Sequence, residues 1–188
     1  MTRPSYSTDA SLDALNPCPS PADKTIAVSE QRSKFRIEKT RAPAELVLAT
    51  GATVRGCFFL WDSNQSRVRP DRIGDLLNEC PGFFPFQLEH GGTALYNRAH
   101  IVQVRLPASA REPQLDPGYE VATRHAVTML LSTGDRITGM VSGSLPEGHD
   151  RLSDYARSER TFHYIETGTE TLIVNSAHLV ELKETDDR

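Results

Sequence analysis

The sequence predicts a mainly-β protein. It is expected to form two tandem small antiparallel β-barrels, each with a short helix or turn insert, behind an irregular N-terminal tail. Three observations predict this. Short runs of β-forming residues are separated by glycine-centred turns. One set of such runs recurs about 80 residues further on. The first 42 residues carry Pro17, Pro19 and Pro21 in a Ser-, Thr- and Asp-rich context that resists regular structure.

The recurrence holds at three places in order. Leu48-Ala49-Thr50-Gly51 matches Leu131-Ser132-Thr133-Gly134, and with it Val54 matches Ile137 and Gly56 matches Gly139, at an offset of 83. Arg72-Ile73-Gly74-Asp75 then matches Arg151-Leu152-Ser153-Asp154, and Phe83 matches Phe162, at an offset of 79. Asn97-Arg98-Ala99-His100-Ile101-Val102 matches Asn175-Ser176-Ala177-His178-Leu179-Val180 at an offset of 78. The offset drifts only where surface loops absorb insertions. The chain therefore divides into a tail (1–42), a first repeat (43–106), a linker (107–122), a second repeat (123–184) and a short C-terminal tail (185–188).

Within the first repeat, Glu45 to Ala49 opens a strand, Gly51 supplies the turn, and Val54 to Leu60 returns. Ile73, Leu76 and Leu77 recur at helical spacing and predict a short helix or turn. Phe83 to Leu88 is the third strand. Gly91-Gly92 turns the chain into a long strand or bent pair from Ala94 to Leu106. The second repeat follows suit, with strands at Val127–Ser132, Arg136–Val141, Thr161–Glu166 and Thr171–Leu182. Pro113 and Pro117-Gly118 mark the stretch between the repeats as irregular.

Composition narrows the class. Of 188 residues, 38 % are apolar and 24 % charged, the balance of a soluble globular protein. Two cores of roughly 60 residues each are marginal alone, so the repeats are expected to pack on each other or on a partner. The net charge of −4 argues against a nucleic-acid backbone as the main partner. Cys18, Cys57 and Cys80 are odd in number and far apart, which fits neither a disulfide framework nor a zinc knuckle. No run of 18 apolar residues occurs, and Met1–Asn16 lacks a signal-peptide core. The expected location is the cytoplasm, with no membrane span and no cofactor.

The hairpin Leu48-x-x-Gly51 with Gly56 and Asp62 resembles the first motif of Sm-like small barrels. Leu95-Tyr96-Asn97-Arg98-Ala99-His100-Ile101-Val102 resembles their second motif, where a tight turn joins the last two strands. The resemblance covers most of 44–106 and 125–183 and is to bacterial proteins with duplicated Sm-like or SH3-like units. It implies small barrels. It also implies base contacts by Asn97, Arg98 and His100, with Arg98 and Ser176 standing where the family's turn glycine is usual. A weaker resemblance is to PilZ domains: Arg32-Ser33-Lys34-Phe35-Arg36 has their Arg-x-x-x-Arg spacing, and Asn64-Gln65-Ser66 part of their second segment. It implies phosphate binding and guanine stacking by Arg32 and Arg36 on a cyclic dinucleotide.

Other candidate residues follow from chemistry. Trp61 with Phe83, Phe84 and Phe86 is the densest aromatic group and the candidate protein-binding patch. Strand alternation sets Phe84 and Phe86 on one face and Phe83 on the other. Arg67, Arg69 and Arg72 with the run from Arg32 to Arg41 form a candidate basic patch. His100 and His178 occupy equivalent places, but a metal site needs three or four ligands and no third lies near in sequence. No nucleophile elbow, P-loop, dinucleotide fingerprint or zincin motif occurs. The expected function is a non-catalytic binding protein, a scaffold, assembly or accessory subunit of a larger bacterial complex, contacting its partner through the tail and the first repeat. The alternative is an RNA- or cyclic-dinucleotide-binding regulator.

Overall fold

A computed structural model of the protein describes residues 39–61, 72–79, 81–116, 118–143 and 152–185. The elements in the first half are β1 (Lys39–Leu48), β2 (Thr53–Trp61), α1 (Ile73–Glu79), β3 (Phe83–Leu88), β4 (Thr93–Asn97), a 3₁₀ turn η1 (Arg98–His100) and β5 (Ile101–Arg105). Two 3₁₀ turns follow, η2 (Pro113–Leu115) and η3 (Tyr119–Val121). The second half runs β6 (Thr123–Leu131), β7 (Arg136–Gly143), α2 (Leu152–Ala156), β8 (Phe162–Glu166), β9 (Thr171–Asn175), η4 (Ser176–His178) and β10 (Leu179–Glu184). The first strand starts at Lys39, inside the stretch assigned by sequence to the tail.

The strands form a single antiparallel sheet in the order β10-β6-β7-β8-β9-β5-β1-β2-β3-β4. Two separate barrels were expected. Instead β5 pairs with β9, so hydrogen bonding continues from one half into the other. Among the described residues β4 and β10 are the two ends of the sheet.

The halves share their registers. Glu45 faces Arg55 across β1–β2, and Thr128 faces Thr138 across β6–β7. Leu46 faces Val104, and Met129 faces Leu182. Both of these ladders break at the same place, leaving Val102 and Val180 unpaired in β5 and β10. Phe83 faces Asn97, and Phe162 faces Asn175.

Local chemistry explains the strands. Gly51 and Gly134 sit at φ 82° and 89° in the two matching hairpins, a region costly for any residue with a Cβ. Gly56 and Gly139 have a different reason. A Cβ there would collide with the backbone carbonyl oxygens of Gln87 and Glu166 on the neighbouring strand. Pro43 lies in the part of β1 that pairs with β2 alone, so its missing N–H leaves no ladder bond unmade. The side chains of one face build a core of Leu46, Phe58, Leu60, Phe84, Phe86 and Val104, roofed by Ile73 and Leu77 of α1. Phe58 stacks on Phe84 with ring centroids 5.2 Å apart and meets Phe86 edge-on at 5.1 Å. A second core gathers Val127, Met129, Leu131, Val141, Ile165 and Leu172.

The cores interlock. Phe162 and Ile173 of the second half are buried in the first cluster, and Val102 of the first half is buried in the second. The stretch expected as a bare linker is part of this seam. Glu112 accepts the Ile73 N–H at 3.0 Å and the Tyr164 hydroxyl at 2.7 Å. Arg72 grips Asp75 through Nε (2.6 Å) and a terminal nitrogen (2.8 Å), and reaches Asp116 at 3.3 Å.

Candidate protein-binding edge

Strand β3 alternates, and the alternation sorts its aromatics. Phe84 and Phe86 are 1 % and 0 % exposed, whereas Phe83 is 63 % exposed. Phe84 and Phe86 are thus corrected from partner contacts to core residues: they lie over Phe58 and have no surface to offer. Phe83 and Pro85 point outward, opposite Asn97 and Leu95 of β4. Leu95 is 68 % exposed. Phe83, Pro85 and Leu95 therefore form an apolar patch on the outer face, beside the edge of β4 that pairs with no other strand among the described residues. Trp61 ends β2, opposite Lys39 of β1.

The corner after β4 closes the patch. Asn97 caps η1, its Oδ1 accepting the Ala99 N–H at 3.0 Å. Arg98 turns inward. Its guanidinium donates to the carbonyls of Phe83 and Leu76 at 3.1 Å each and lies over the Phe84 ring. At 8 % exposure it is not available to a base or phosphate, which corrects the nucleotide-binding role given to it. Asn97 and His100 remain at the surface side of the corner. Arg32, Arg36, Arg67 and Arg69 lie outside the described residues. Arg72 does not join a free basic patch, because Asp75 and Asp116 hold it.

The equivalent positions of the second half are buried. Phe162, Ile173 and Asn175, the counterparts of Phe83, Leu95 and Asn97, are 3 %, 0 % and 1 % exposed. The first half covers them. Backbone pairing joins Gln103 to Val174, Val104 to Ile173 and Arg105 to Leu172. The Asn175 amide donates to the carbonyls of Ile101 at 2.8 Å and Arg98 at 3.3 Å, while its oxygen caps Ala177 at 2.9 Å. His178 Nε2 donates to the Ala99 carbonyl at 2.9 Å, so Nδ1 accepts from the Ser132 hydroxyl at 2.9 Å. From α1, Asn78 binds the Phe162 carbonyl and the Thr161 and Phe162 N–H groups, each at 2.9 Å.

Polar groups concentrate elsewhere, around a cavity of about 170 Å³ lined by Arg72, Asp116, Tyr155, His163, Tyr164 and Glu166. Most of its charge is internally spent. Burial pushes the Glu112 carboxyl up, against the hydrogen bonds from Tyr164 and Ile73. Burial likewise raises the Tyr164 phenol, with Glu112 adding to it. The Gly118 N–H, and then Arg72, holds Asp116 below the usual carboxylate range. Burial pushes the His163 ring down, and it packs 4.7 Å from Tyr155. Sequence gave no sign of Glu112, because its partners lie 39 and 52 residues away. Among the described residues no group of three or more His, Cys, Asp or Glu is placed to hold a metal ion. No helix among them is long and apolar enough to cross a membrane.

Fold and edge together define an antiparallel β protein with an apolar strip beside a strand that ends the sheet among the described residues. Comparison with protein-family models, curated proteins and solved structures finds no match.

Proposed function

We propose that this chain is a non-catalytic protein-binding subunit, a scaffold or accessory component that engages its partner at the β4 edge. We further propose that its halves arose by duplication of one Sm-like or SH3-like unit, since hairpins, ladder break and Asn-x-Ala-His corner fall in one register in both. One observation carries the functional reading. Phe83 and Leu95 stand exposed beside an edge that no other described strand covers, whereas the same two positions in the second half are buried against the first half. An edge of this kind offers main-chain hydrogen bonds for affinity and apolar side chains for selection.

The test is affinity purification of the tagged chain from its native host, alongside Leu95→Lys and Phe83→Ser variants. Mass spectrometry then identifies the bound protein, an untagged copy of the chain included. The expected result is a stoichiometric protein partner retained by the parent chain and lost by both variants. Retention by both variants overturns the reading. So does recovery of RNA or cyclic di-GMP alone with steep salt dependence, which favours the nucleotide-binding alternative.

A further inference from the structure

The sheet contains a worked example of its own edge being covered. At the internal junction the β5 edge of one half lies against the β9 edge of the other. Among the described residues the free ends of the sheet are β4 and β10, the counterparts of β9 and β5 respectively. The chain therefore carries both halves of a second junction, unjoined, at its two extremities.

The exposed apolar residues fall where this requires. Large hydrophobic side chains exposed on or beside these two end strands are Phe83, Leu95 and Val180, at 63 %, 68 % and 64 %. Their counterparts Phe162, Ile173 and Val102 are 3 %, 0 % and 0 % exposed, and all three are buried by the internal junction. Val180 occupies the same ladder break in β10 that lets Val102 enter the neighbouring core from β5. The corners agree as well. Asn97 makes its cap but, among the described residues, its amide nitrogen has no partner, whereas that of Asn175 binds two carbonyls across the junction.

We propose that copies of this chain associate head to tail, β10 of one pairing antiparallel with β4 of the next in the register of the internal junction. That register sets Leu182 opposite Leu95, Glu181 opposite Tyr96 and Lys183 opposite Ala94. The Asn97 amide then reaches the Ser176 and Leu179 carbonyls of the neighbour, and His100 reaches its Ala177 carbonyl. Such contacts are heterologous, so they propagate until the assembly closes on itself or grows as a filament. This proposal rests on β4 being a protein-binding edge and names a second copy as the partner.

The experiment measures molar mass of the full chain by light scattering or sedimentation across a wide concentration range. Leu95→Lys and Val180→Lys are examined in the same way, with circular dichroism confirming that each folds. Both sites are solvent-exposed, so both variants are expected to keep the fold. The parent chain is expected to exceed the single-chain mass of 20.8 kDa by whole multiples. Each variant is expected to weaken association by about 100-fold and run as a monomer. A mixture of the two variants retains one intact β4 and one intact β10, and is expected to form a 1:1 dimer that stops there. A parent chain that stays monomeric throughout overturns the proposal. So does a Val180→Lys variant that assembles like the parent, since that signals symmetric edge-to-edge pairing. If the chain is monomeric but Leu95→Lys still releases a different protein in the host purification, the binding-edge reading stands and only the second copy as partner fails.

Discussion

Asn175→Ala offers the sharpest measure of how the two corners differ. Asn175 is 1 % exposed and makes three hydrogen bonds, to the Ile101 and Arg98 carbonyls and from the Ala177 N–H. A typical intramolecular hydrogen bond contributes about 1 kcal/mol net, and a buried carbonyl stripped of its donor costs more. Alanine at this site is therefore expected to cost about 3 kcal/mol. For a folded unit of this size each kcal/mol shifts Tm by about 2–4 °C, so the midpoint should fall by roughly 6–12 °C. Asn97→Ala removes only the cap on Ala99, at about 0.5–1 kcal/mol, and should shift the midpoint by roughly 1–4 °C. Urea and thermal unfolding, followed by circular dichroism on dilute protein, read both values. Equal losses at the two sites would falsify the claim that one corner is internally satisfied and the other is waiting for a neighbour.

Further predictions concern packing and pH. Gly56→Ala places a Cβ against the Gln87 carbonyl oxygen and should destabilise by about 1–3 kcal/mol in urea titration; an unchanged midpoint contradicts the close strand approach. Phe84→Ala should cost about 3–5 kcal/mol, whereas Phe83→Ser should stay within about 0.5 kcal/mol in the monomer; similar values for the two would mean that the strand's faces are misassigned. His163 is held below its ordinary value of 6.5, so the unfolded chain binds the proton more readily. Its contribution is fully present above pH 6.5 and is lost as pH falls through the depressed value, and His163→Gln should flatten that part of the stability profile. Glu112 runs the opposite way, being raised from 4.5. Its contribution is complete below pH 4.5 and is lost as pH rises through the elevated value, so Glu112→Gln should reduce the decline seen over that window; an unchanged slope argues against a buried carboxyl there.

What the sequence disclosed was local. The hairpin glycines at 51 and 134 have the left-handed backbone their turns require, and the Asn-x-Ala-His corners both form capped 3₁₀ turns. Such features depend on residues within a few positions of one another. The junction was not legible, because β5 and β9 meet across about 70 residues and nothing in either strand names the other. Phe83 and Phe162 make the point sharply. They occupy equivalent places in matching patterns, yet one is exposed and the other is buried, and only tertiary context separates them. Arg98 misled in the same way. A cation beside a strand turn suggests a ligand, but the carbonyls of Leu76 and Phe83 claim it. The Pro- and Gly-rich segment around Glu112 has the composition of a spacer, and its packing role comes entirely from distant partners.

The reciprocal lodging of Phe162 and Ile173 in one core and Val102 in the other bears on how the molecule comes apart. Neither half can melt without pulling side chains out of its neighbour, so heat should produce one transition rather than two. Amide protons along β5 and β9 should exchange only through that global event, while in dilute, dissociated chain those on the outer edges of β4 and β10 should exchange early. A fragment ending at Leu106 would lose Phe162 and Ile173 from its core and uncover β5, leaving a sticky remnant rather than a small independent domain.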